Sequence, residues 1–475
     1  MEPNETYSKD FRGHLSTVDA AGKRIWIYPK LIKGKLYKYR TILSYVLLAI
    51  LFGLPHIYAH GEPFVLFNII ERKFIIFGQI FWPQDFHLFV FGMLGFVLFV
   101  IVFTVIFGRF FCGWICPQTI FLEMVFRKIE RFIEGDHNAQ KKLNQGKWSE
   151  NNKALKKTAK HIVFFGISYL VANTFLAYII GSEELFRIQT DNPANHLGGL
   201  AAITIFSFAF YGVFAFFREQ VCTNVCPYGR LQGVLLDSNT IVVAYDKKRG
   251  EPREKNGRDR KASAGSCIDC HQCVLVCPTG IDIRNGTQLE CVNCTACIDA
   301  CDDVMLKINQ PTGLIKFASE KQITEGEKFV FTTRMKVYST VLILIIIAFN
   351  ILMMVRGNLE TTVLRARGQN YTIMPDGRIS NLYKYKIVNK SNDSIPLNLK
   401  LINIKGEIEL IGVQGNIMLK PEQKLEGIMM IKIDSNELHS RTNGIKIDVM
   451  NGDQKLEEIN SVFMAPRHHK ATDKF

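Results

Sequence analysis

Residues 266–278 read SCIDCHQCVLVCP, and two cofactors compete for the cysteines of this stretch. The first five residues after Ser266, Cys267–His271, spell C-x-x-C-H, the attachment signature of a c-type haem. The same cysteines begin C-x2-C-x2-C-x3-C-P, the spacing with which bacterial ferredoxins bind a [4Fe–4S] cluster. The position of the other cysteines in the chain decides between the two.

The cysteine pattern occurs a second time, 24 residues later. Two such runs in series are typical of a two-cluster ferredoxin, in which the fourth cysteine of each run ligates the other run's cluster. We therefore predict two [4Fe–4S] clusters, the first on Cys267, Cys270, Cys273 and Cys301, and the second on Cys291, Cys294, Cys297 and Cys277. Zinc is the alternative metal. Asp302 replaces the proline that ends the first run (Pro278), a small departure because that proline supplies no ligand.

Five stretches without Asp, Glu, Lys or Arg are long enough to cross a bilayer core, which takes about 20 apolar residues. They are residues 41–60, 86–107, 162–180, 197–217 and 337–355. With 48% hydrophobic residues and 35 phenylalanines in 475 residues, the composition is that of a membrane protein. The net charge of +14 comes from basic residues that flank the spans, which argues against nucleic-acid binding.

Basic residues alternate between the connecting segments. Nine Lys and Arg precede the first span and eleven lie in 108–160, whereas 61–85 holds two and 181–196 holds one. The positive-inside rule then predicts a cytoplasmic N-terminus, an uncleaved first span, cytoplasmic residues 218–336 and an exported C-terminal part. Because c-type haem is attached outside the cytoplasm, this orientation favours iron–sulfur clusters over haem.

The other four cysteines form a second duplication. They are Cys112 and Cys116 in GRFFCGWICPQ, and Cys222 and Cys226 in REQVCTNVCPYGR. Each C-x3-C-P motif directly follows a predicted span, so both motifs lie at the same membrane surface. If the helix continued through the motif, the i,i+4 spacing would put both sulfurs on one helical face. Because thiolates favour Cu(I), zinc or iron–sulfur species, we predict a metal or redox site, either one site of four thiols or two of two. Buried structural cysteines are the alternative.

Histidines are weaker candidates for metal or haem. Those near the membrane lie at span edges, where no facing pair for bis-histidine haem b is evident: His56, His60, His87 and His196. A pair near the C-terminus, His468 and His469, could hold a metal, but a frayed basic tail is the better interpretation.

After the last span the sequence alternates between apolar and polar residues. Segments such as YKYKIVNK, LNLKLINIKGEIELI and GIMMIKIDS, with turns at SNDS, GNIMLKPEQ and SNEL, predict an antiparallel sandwich of about 100 residues. It holds no cysteine, so we interpret it as a docking or structural module, with Met418, Met429 and Met430 in its core rather than on copper. Two further expectations are a hairpin within 61–85 and a charged tether at 246–261.

The predicted fold class is a multi-domain membrane protein with an α-helical core of about five spans, an inserted two-cluster ferredoxin-like domain and a C-terminal all-β sandwich. The domains are a basic cytoplasmic N-terminus (1–40), a four-span core with both C-x3-C-P motifs (41–236), the ferredoxin domain (237–336), a fifth transmembrane helix (337–356) and the sandwich (357–475).

The ordered set resembles the FixG/CcoG family of cytochrome c oxidase accessory proteins. The residues that carry this resemblance are FWPQDF (81–86), both C-x3-C-P segments, the paired ferredoxin runs and the terminal sandwich. The resemblance implies an immunoglobulin-like C-terminal domain and a bacterial inner-membrane protein that serves assembly of the cbb-type oxidase. It also implies reduction of Cu(II) to Cu(I), with copper meeting Cys112, Cys116, Cys222 and Cys226. Oxidase subunits or a copper-transporting ATPase are the partners it implies.

Two other functions stay open at this point. One is a membrane subunit that oxidises quinol and feeds a periplasmic reductase, and the other is a non-catalytic assembly scaffold. The electron donor is unknown, since no G-x-G-x-x-G follows a strand and no nucleotide site is supported.

Overall fold

The computed structural model describes most of the chain, in two compact units that meet between Phe349 and Asn350. The described residues are 17–19, 21–59, 61–70, 72–81, 85–146, 152–255, 263–357, 359–366, 368, 370–390, 394–412, 417–420, 423–451 and 454–466. The first unit contains the first four spans, most of the fifth and both sets of cysteines, and the second contains the end of the fifth span and the C-terminal strands.

Five helices are long and apolar enough to cross a membrane, which confirms the predicted spans. Their bounds are Lys35–His56, Phe86–Phe107, Lys153–Ile180, Leu197–Phe217 and Thr333–Val355. The first and third begin earlier than the apolar stretches, because a helix continues readily through Lys and Arg, which have high helix propensity. The helical regions within these bounds are α1 (Lys35–Gly53), α2 (Phe86–Phe107), α7 (Lys153–Ile180), α9 (Leu197–Gly212) and α15 (Thr333–Val355).

Shorter helices connect the spans in the chain. They are α3 (Phe110–Trp114), α4 (Pro117–Ile120), α5 (Arg127–Glu134), α6 (His137–Gln145), α8 (Ser182–Thr190) and α10 (Pro227–Leu235), with π-helical turns at Phe121–Phe126, Val213–Phe217 and Val221–Val225. Helices α3 to α6 lie between α2 and α7, α8 lies between α7 and α9, and α10 follows the fourth span. Short 3-10 turns occupy Leu54–His56 and Pro193–Asn195.

The spans pack through aromatic rings and glycines. Phe126 stacks on Phe214 with ring centroids 4.4 Å apart, beside the fully buried Phe164. Gly92 and Gly95 of α2 face α15: a Cβ added at either position would make ordinary van der Waals contact with Phe349 or Ile345.

The segment before the second span is a small antiparallel sheet rather than a single hairpin. Its three strands are β3 (Val65–Asn68), β4 (Lys73–Ile76) and β5 (Gln79–Phe81), and a two-stranded pair, β1 (Tyr58–Ala59) and β2 (Glu62–Pro63), precedes them. Phe77 (φ 53°) and Gly78 (φ 74°) form the tight turn between β4 and β5, the positive φ pair that a two-residue hairpin loop needs. Of the segment FWPQDF, residues 82–84 lie outside the described residues.

A ferredoxin-like domain follows the fourth span. It consists of β6 (Val242–Tyr245), α11 (Lys247–Gly250), α12 (Gln272–Leu275), a 3-10 turn (Ile283–Asn285), α13 (Ala296–Lys307), β7 (Ile315–Ala318) and α14 (Glu320–Thr324), with β6 antiparallel to β7. The start of the expected tether belongs to this domain, because Asp246 caps α11 and Arg249 donates to the carbonyl oxygen of Thr312 (2.8 Å). Residues 256–262 of that segment are not described.

The ferredoxin-like domain caps the first membrane helix. The carboxylate of Asp299, on α13, accepts hydrogen bonds from the backbone N–H groups of Leu36 (3.2 Å) and Tyr37 (2.7 Å). Those two donors have no partner within α1, since the first N–H groups of a helix never do. A Cβ at Gly34, the residue before α1, would lie 2.1 Å from the Asp299 side chain, so only glycine permits this approach.

The second unit is a sandwich of two antiparallel sheets, as predicted. One sheet has the order β12 (Gly406–Ile411), β14 (Lys424–Ile433), β10 (Ile379–Asn389), β8 (Leu359–Arg365), with β9 (Thr372–Ile373) on β10. The other has the order β13 (Ile417–Leu419), β11 (Ile395–Leu401), β15 (Thr442–Asn451), β16 (Gln454–Met464). Strand β13 lies inside GNIMLKPEQ, where the sequence analysis predicted a turn.

The alternating side chains of both sheets fill the sandwich core. Tyr383, Met429, Ile447 and Phe463 are fully buried, and Tyr383 donates to the carbonyl oxygen of Val462 (2.9 Å). The placement of Met429 in the core is as expected. The prediction that Met418 also lies in the core is wrong. Its side chain is 56% exposed, because it lies on the outer face of a short edge strand.

We predict that Asp299→Ala weakens the attachment of the ferredoxin-like domain to α1. Losing a helix cap costs about 1 kcal/mol, so amide hydrogen exchange at Leu36 and Tyr37 should accelerate several-fold. The matched control is Asp303→Ala on the same helix, whose side chain is exposed and pairs only with Lys307. Equal exchange in the two variants would contradict the capping role.

Candidate metal centres

The two cysteine runs of the ferredoxin-like domain have the same backbone shape. In the first run Asp269 (φ 50°) and His271 (φ 55°) flank Cys270, and in the second Asn293 (φ 52°) and Thr295 (φ 66°) flank Cys294. These left-handed residues reverse the chain on both sides of the middle cysteine, and Asn, Asp and His are the types that tolerate such a conformation best. The repeat in the sequence is therefore also a repeat in backbone geometry.

Two cavities of equal volume lie inside this domain. One is lined by Cys267, Cys270, Cys273 and Cys301. The other is lined by Cys277, Cys291, Cys294 and Cys297, and Cys273 lines both cavities. Each cavity thus brings three cysteines of one run together with the fourth of the other run. Six of these eight side chains belong to or pack against the core of the domain: Cys267, Cys273, Cys277, Cys291, Cys297 and Cys301.

The walls of these cavities suit iron–sulfur clusters. Burial raises the pKa of Cys291 to about 12 and that of Cys294 to about 11, so the free thiols stay protonated and a bound metal would be needed to hold them as thiolates. The side-chain Nδ2 of Asn293 is a buried donor without a hydrogen-bond partner at the wall of the second cavity. A cluster sulfide is an acceptor that would satisfy such a donor.

His271 is not simply a surface residue. Its side chain is 45% exposed, but its Nδ1 lies 2.9 Å from a guanidinium nitrogen of Arg284, and both residues line the first cavity. Arg284 is buried and also pairs with Asp269 and Asp282, so it holds the first cysteine loop against the following turn.

Both C-x3-C-P motifs break the helix between their cysteines, contrary to the continuous-helix geometry considered above. Cys112 lies in α3, whereas Cys116 is extended (ψ 123°) and precedes α4. Cys226 is likewise extended (ψ 113°) before α10. The cause is the proline after each second cysteine, because proline excludes the helical conformation at the residue before it.

The four C-x3-C-P cysteines nevertheless lie in one group. Burial and then the neighbouring thiols Cys116, Cys112 and Cys226 raise the pKa of Cys222 to about 12. Burial raises the pKa of Cys112 to about 11, an effect that Cys116 and Cys226 increase and that the nearby Arg109 guanidinium opposes. The structure therefore gathers the two motifs at one place.

Arg109 and Gln232 join the two motifs. The Arg109 guanidinium donates to the Gln232 side-chain oxygen (3.0 Å) and to the carbonyl oxygen of Gly229 (2.8 Å), and the thiol of Cys112 donates to the same Gln232 oxygen (3.1 Å). Beside the thiols, Gln118 Nε2 is buried without a hydrogen-bond partner among the described residues, and the Thr119 hydroxyl faces the thiols of Cys116 and Cys222. A buried donor without a partner suits a site that binds an ion or small ligand.

The first C-x3-C-P motif touches the second ferredoxin run directly. A Cβ at Gly113 would lie 2.4 Å from the carbonyl oxygen of Val292, so the two backbones are in contact. The indole of Trp114 donates to the carbonyl oxygen of Asn293 (3.3 Å), and Arg40 of α1 donates to the carbonyl oxygen of Gly113 (2.7 Å). The four-thiol group therefore adjoins the Cys291–Cys294 loop.

A buried ionic network joins the second motif to the first ferredoxin run. Arg127 donates to the Glu219 carboxylate (3.0 Å) and to the carbonyl oxygen of Pro278 (3.1 Å), next to Cys277. Arg218 pairs with Glu130 (2.7 Å), and all four charged side chains are at least 96% buried. The Arg218 and Lys160 charges outweigh burial and lower the pKa of Glu130 to about 2, so this carboxylate stays ionised.

The remaining metal candidates are not brought together. His56 and His87 are exposed, and His196 pairs with Asp191 (3.0 Å). His60, His468 and His469 lie outside the described residues. Within the described ranges no three His, Cys, Asp or Glu side chains are arranged to hold a single metal ion. Corner ligands of a cubane stand further apart than those of one ion, so this geometry suits clusters in the two ferredoxin cavities. The four C-x3-C-P thiols likewise do not bring three ligands to one point, so a single ion there would be held by two of them.

Several residues of the site were missed in the sequence analysis. Arg109, Gln232, Arg284, Asn293 and Glu219 have no motif of their own, and their roles depend on contacts between distant parts of the chain. The one available signal was Arg218–Glu219, a charged pair directly at the end of an uncharged span, where a paired or functional role is common.

Three family models match the chain. A 4Fe-4S dicluster domain matches residues 217–320, and a 4Fe-4S binding domain matches residues 89–134, which include the first C-x3-C-P motif. The model described as "IG-like fold at C-terminal of FixG" matches residues 349–466. These matches confirm the iron–sulfur assignment and the immunoglobulin-like fold of the sandwich.

Several curated proteins are similar to this chain in sequence. "Nitrogen fixation protein FixG" of Rhizobium meliloti is 34% identical over 80% of this chain and 79% of its own length. "Protein RdxA" of Cereibacter sphaeroides is 36% identical over 69% of this chain and 71% of its own. "Ferredoxin-type protein NapH" of Haemophilus influenzae is 19% identical over 46% of this chain and 68% of its own.

One solved structure is also similar. The crystal structure of a FixG-related protein from Vibrio parahaemolyticus is 22% identical and covers 23% of this chain and 97% of its own, with a TM-score of 0.20.

We predict that Gly113→Ala destabilises the contact between the C-x3-C-P motif and the ferredoxin loop. The new methyl group must displace the Val292 carbonyl, and overpacking of this kind costs about 1–3 kcal/mol. Thermal unfolding in detergent, followed by loss of cluster absorbance, should show a lower midpoint. The matched control is Gly166→Ala on α7, where a Cβ meets nothing within 4 Å. Equal midpoints for the two variants would contradict the close contact.

Proposed function

Because this chain belongs to the FixG family and is a membrane-bound iron–sulfur electron-transport protein, we propose that it reduces Cu(II) to Cu(I) for assembly of a cbb-type cytochrome c oxidase. Electrons would travel from two [4Fe–4S] clusters to copper held by the C-x3-C-P cysteines. One observation carries the proposal. The four C-x3-C-P thiols form one group, and the backbone of the first motif contacts a ferredoxin cysteine loop.

The proposed ligands follow the cavities. One cluster is assigned to Cys267, Cys270, Cys273 and Cys301, and the other to Cys291, Cys294, Cys297 and Cys277. When bound, such clusters supply one-electron carriers. The protein's own residues position the acceptor site beside them, through the Gly113–Val292 contact and the hydrogen bond from Trp114 to Asn293.

The four-thiol group suits Cu(I), the product of copper reduction, better than Cu(II), its substrate. Thiolates prefer Cu(I) to Cu(II), so binding there favours the transfer of one electron to the copper ion. The Arg109 guanidinium stabilises the thiolate form of Cys112, and Gln232 orients that thiol through its side-chain oxygen. The buried amide nitrogen of Gln118 remains available for a group that arrives with the ion.

The orientation and the partners complete the proposal. The charge alternation of the loops supports a cytoplasmic ferredoxin-like domain and a periplasmic sandwich in a bacterial inner membrane. Cytoplasmic copper reduction would serve a copper-transporting ATPase or, through it, the oxidase subunits. The sandwich, without cysteines and with a continuous core, suits docking of such a partner.

A second occupant of the four-thiol group has one observation in its favour. The model that matches residues 89–134 is described as a 4Fe-4S binding domain, and four thiols are the ligand number of such a cluster. A third cluster would make the chain an electron carrier between a quinol and a distant reductase. A non-catalytic scaffold, the remaining alternative, would show no electron transfer at all.

We predict that removing the four thiols abolishes copper reduction and leaves the clusters intact. The variant Cys112→Ser/Cys116→Ser/Cys222→Ser/Cys226→Ser and the wild type would be purified in detergent and reduced with dithionite, and excess reductant removed. Each is then mixed with Cu(II) in an anaerobic stopped-flow instrument, with cluster reoxidation followed by absorbance and Cu(I) by a chelator. The wild type should reoxidise as Cu(I) appears, and the variant should do neither.

Iron analysis separates the alternatives. Two clusters account for eight irons per chain in both proteins, whereas a third cluster gives twelve in the wild type and eight in the variant. Equal copper reduction by the variant would exclude the C-x3-C-P group as the site. An unreactive wild type would favour the quinol-dependent carrier or the scaffold.

We also predict that the two motifs act as one site. Cys112→Ser/Cys116→Ser alone and Cys222→Ser/Cys226→Ser alone should each lose nearly all Cu(I) binding, measured by competition with a chelator, because each pair completes the other. Retention of half the bound copper in each double variant would instead indicate two independent sites.

A further inference from the structure

A large cavity in the described part of the first unit lies away from the cysteines. Its volume is about 1010 Å³, and it is bounded by the start of α7, the end of the fourth span and the N-terminal segment around Trp26. Ile162, Phe208 and Phe216 line it and are also more than half exposed on the surface of the spans. The cavity therefore has an apolar wall that borders the membrane and a polar floor at the end of the core where the ferredoxin-like domain lies.

A histidine and a tyrosine face each other in this cavity. His161 Nδ1 and the Tyr211 hydroxyl are 2.9 Å apart, and the His161 ring lies nearly parallel to Phe216, with centroids 6.1 Å apart. No described residue hydrogen-bonds to the other ring nitrogen, Nε2. When Nδ1–H donates to the tyrosine oxygen, the Nε2 lone pair is free to accept a proton from a ligand.

The basic side chains in the described wall of the cavity already have partners, so none of them is left free for an anionic ligand. Every basic side chain in its wall is already bound: Lys157 to Glu134 (2.9 Å), Lys160 to Glu134 (2.8 Å) and Glu130 (3.3 Å), Arg218 to Glu130 (2.7 Å), and Lys153 to the carbonyl oxygens of Asn144 (3.1 Å) and Gly146 (2.8 Å). An anionic lipid headgroup would have to compete with these carboxylates. A neutral molecule with an apolar tail and hydroxyl groups would not.

The cavity is connected to the ferredoxin loops by the buried ionic network. Arg218 lines the cavity and lies 4.0 Å from Glu219, which binds Arg127 (3.0 Å). Arg127 in turn donates to the carbonyl oxygen of Pro278, the residue after Cys277. Two adjacent ion pairs therefore separate the cavity wall from a proposed cluster ligand.

We propose that this cavity binds a membrane-soluble hydroquinone, which is the electron donor of the protein. The hydroquinone loses its two O–H protons and two electrons and leaves as the quinone. One proton would pass to Nε2 of His161 and the other to water in the cavity, and the two electrons would be taken up, one each, by the two oxidised clusters that the eight ferredoxin cysteines would hold. This proposal rests on the function proposed above, in which the two electrons then reduce two Cu(II) ions to Cu(I).

The test uses the full chain in nanodiscs of phosphatidylcholine, with decylubiquinol and menadiol as separate probes under anaerobic conditions. Either hydroquinone should bleach the cluster absorbance of the wild type.

His161→Phe removes the proton acceptor and should slow this step roughly 100-fold or more, while reduction by dithionite stays unchanged. His161→Gln, which keeps a polar side chain but no base, should be equally slow. Tyr211→Phe, which removes the hydrogen bond to Nδ1, should be slower than the wild type. The control is Tyr169→Phe, which alters an exposed residue on α7, the helix that carries His161. This variant should react like the wild type.

A binding measurement accompanies the kinetics. A photoreactive azidoquinone should label peptides within 153–165 or 208–218 in the wild type, and decylubiquinone should compete with the label. Failure of both hydroquinones to bleach the wild type, or labelling confined to other peptides, would overturn the proposal. Suppression of the label by phosphatidylglycerol at a low molar fraction would identify an anionic-lipid site and overturn it as well.

The proposal of copper reduction and the proposal of hydroquinone oxidation can each be refuted without the other. Copper reduction is tested with protein reduced by dithionite and does not need the cavity. Hydroquinone-dependent bleaching is measured without copper, and the variant lacking the four C-x3-C-P thiols should retain it.

Discussion

The close approach of the Gly113 backbone to the Val292 carbonyl oxygen is the contact on which the arrangement of this molecule depends. A side chain at position 113 would push the ferredoxin-like domain away from the membrane core, and with it the cysteine loop that begins at Cys291. The cap that Asp299 gives to α1 acts in the same direction, because it satisfies two N–H groups of a membrane helix with a carboxylate of the ferredoxin-like domain. Two glycines, Gly34 and Gly113, thus allow two backbone approaches that hold the domain in one position.

The buried ionic network sets the same arrangement by a different kind of interaction. Taking Arg127, Glu219, Arg218 and Glu130 out of water is costly, and their mutual attraction does little more than offset that cost. Loss of any one partner, however, leaves an unpaired buried charge, which costs about 3–5 kcal/mol. The network therefore contributes specificity more than net stability. It requires the end of the fourth span, helix α5 and the loop after Cys277 to meet in one register, and that register also shapes the cavity lined by Glu130 and Arg218.

Local patterns in the sequence predict the elements but not how they meet. The five spans follow from uncharged runs, the ferredoxin-like domain from two equally spaced cysteine sets, and the sandwich from alternation of apolar and polar residues. The helix break inside each C-x3-C-P motif follows from the proline, although the sequence analysis considered a continuous helix. The close approach of the two motifs could not be predicted from the sequence, because it depends on contacts of Arg109 with Gln232 and Gly229, more than a hundred residues away. The same is true of His161 and Tyr211, which lie on different spans and match no motif.

The central claim is that the four C-x3-C-P thiols receive copper beside the clusters, and X-ray absorption at the copper edge tests it most directly. Protein reduced with dithionite and freed of excess reductant would be given one equivalent of Cu(II) and frozen. Our account predicts the edge of Cu(I) with a first shell of sulfur only, and loss of that sulfur shell when all four cysteines are replaced by serine. A Cu(II) edge with nitrogen or oxygen ligands, or a sulfur shell that survives the four replacements, would contradict it.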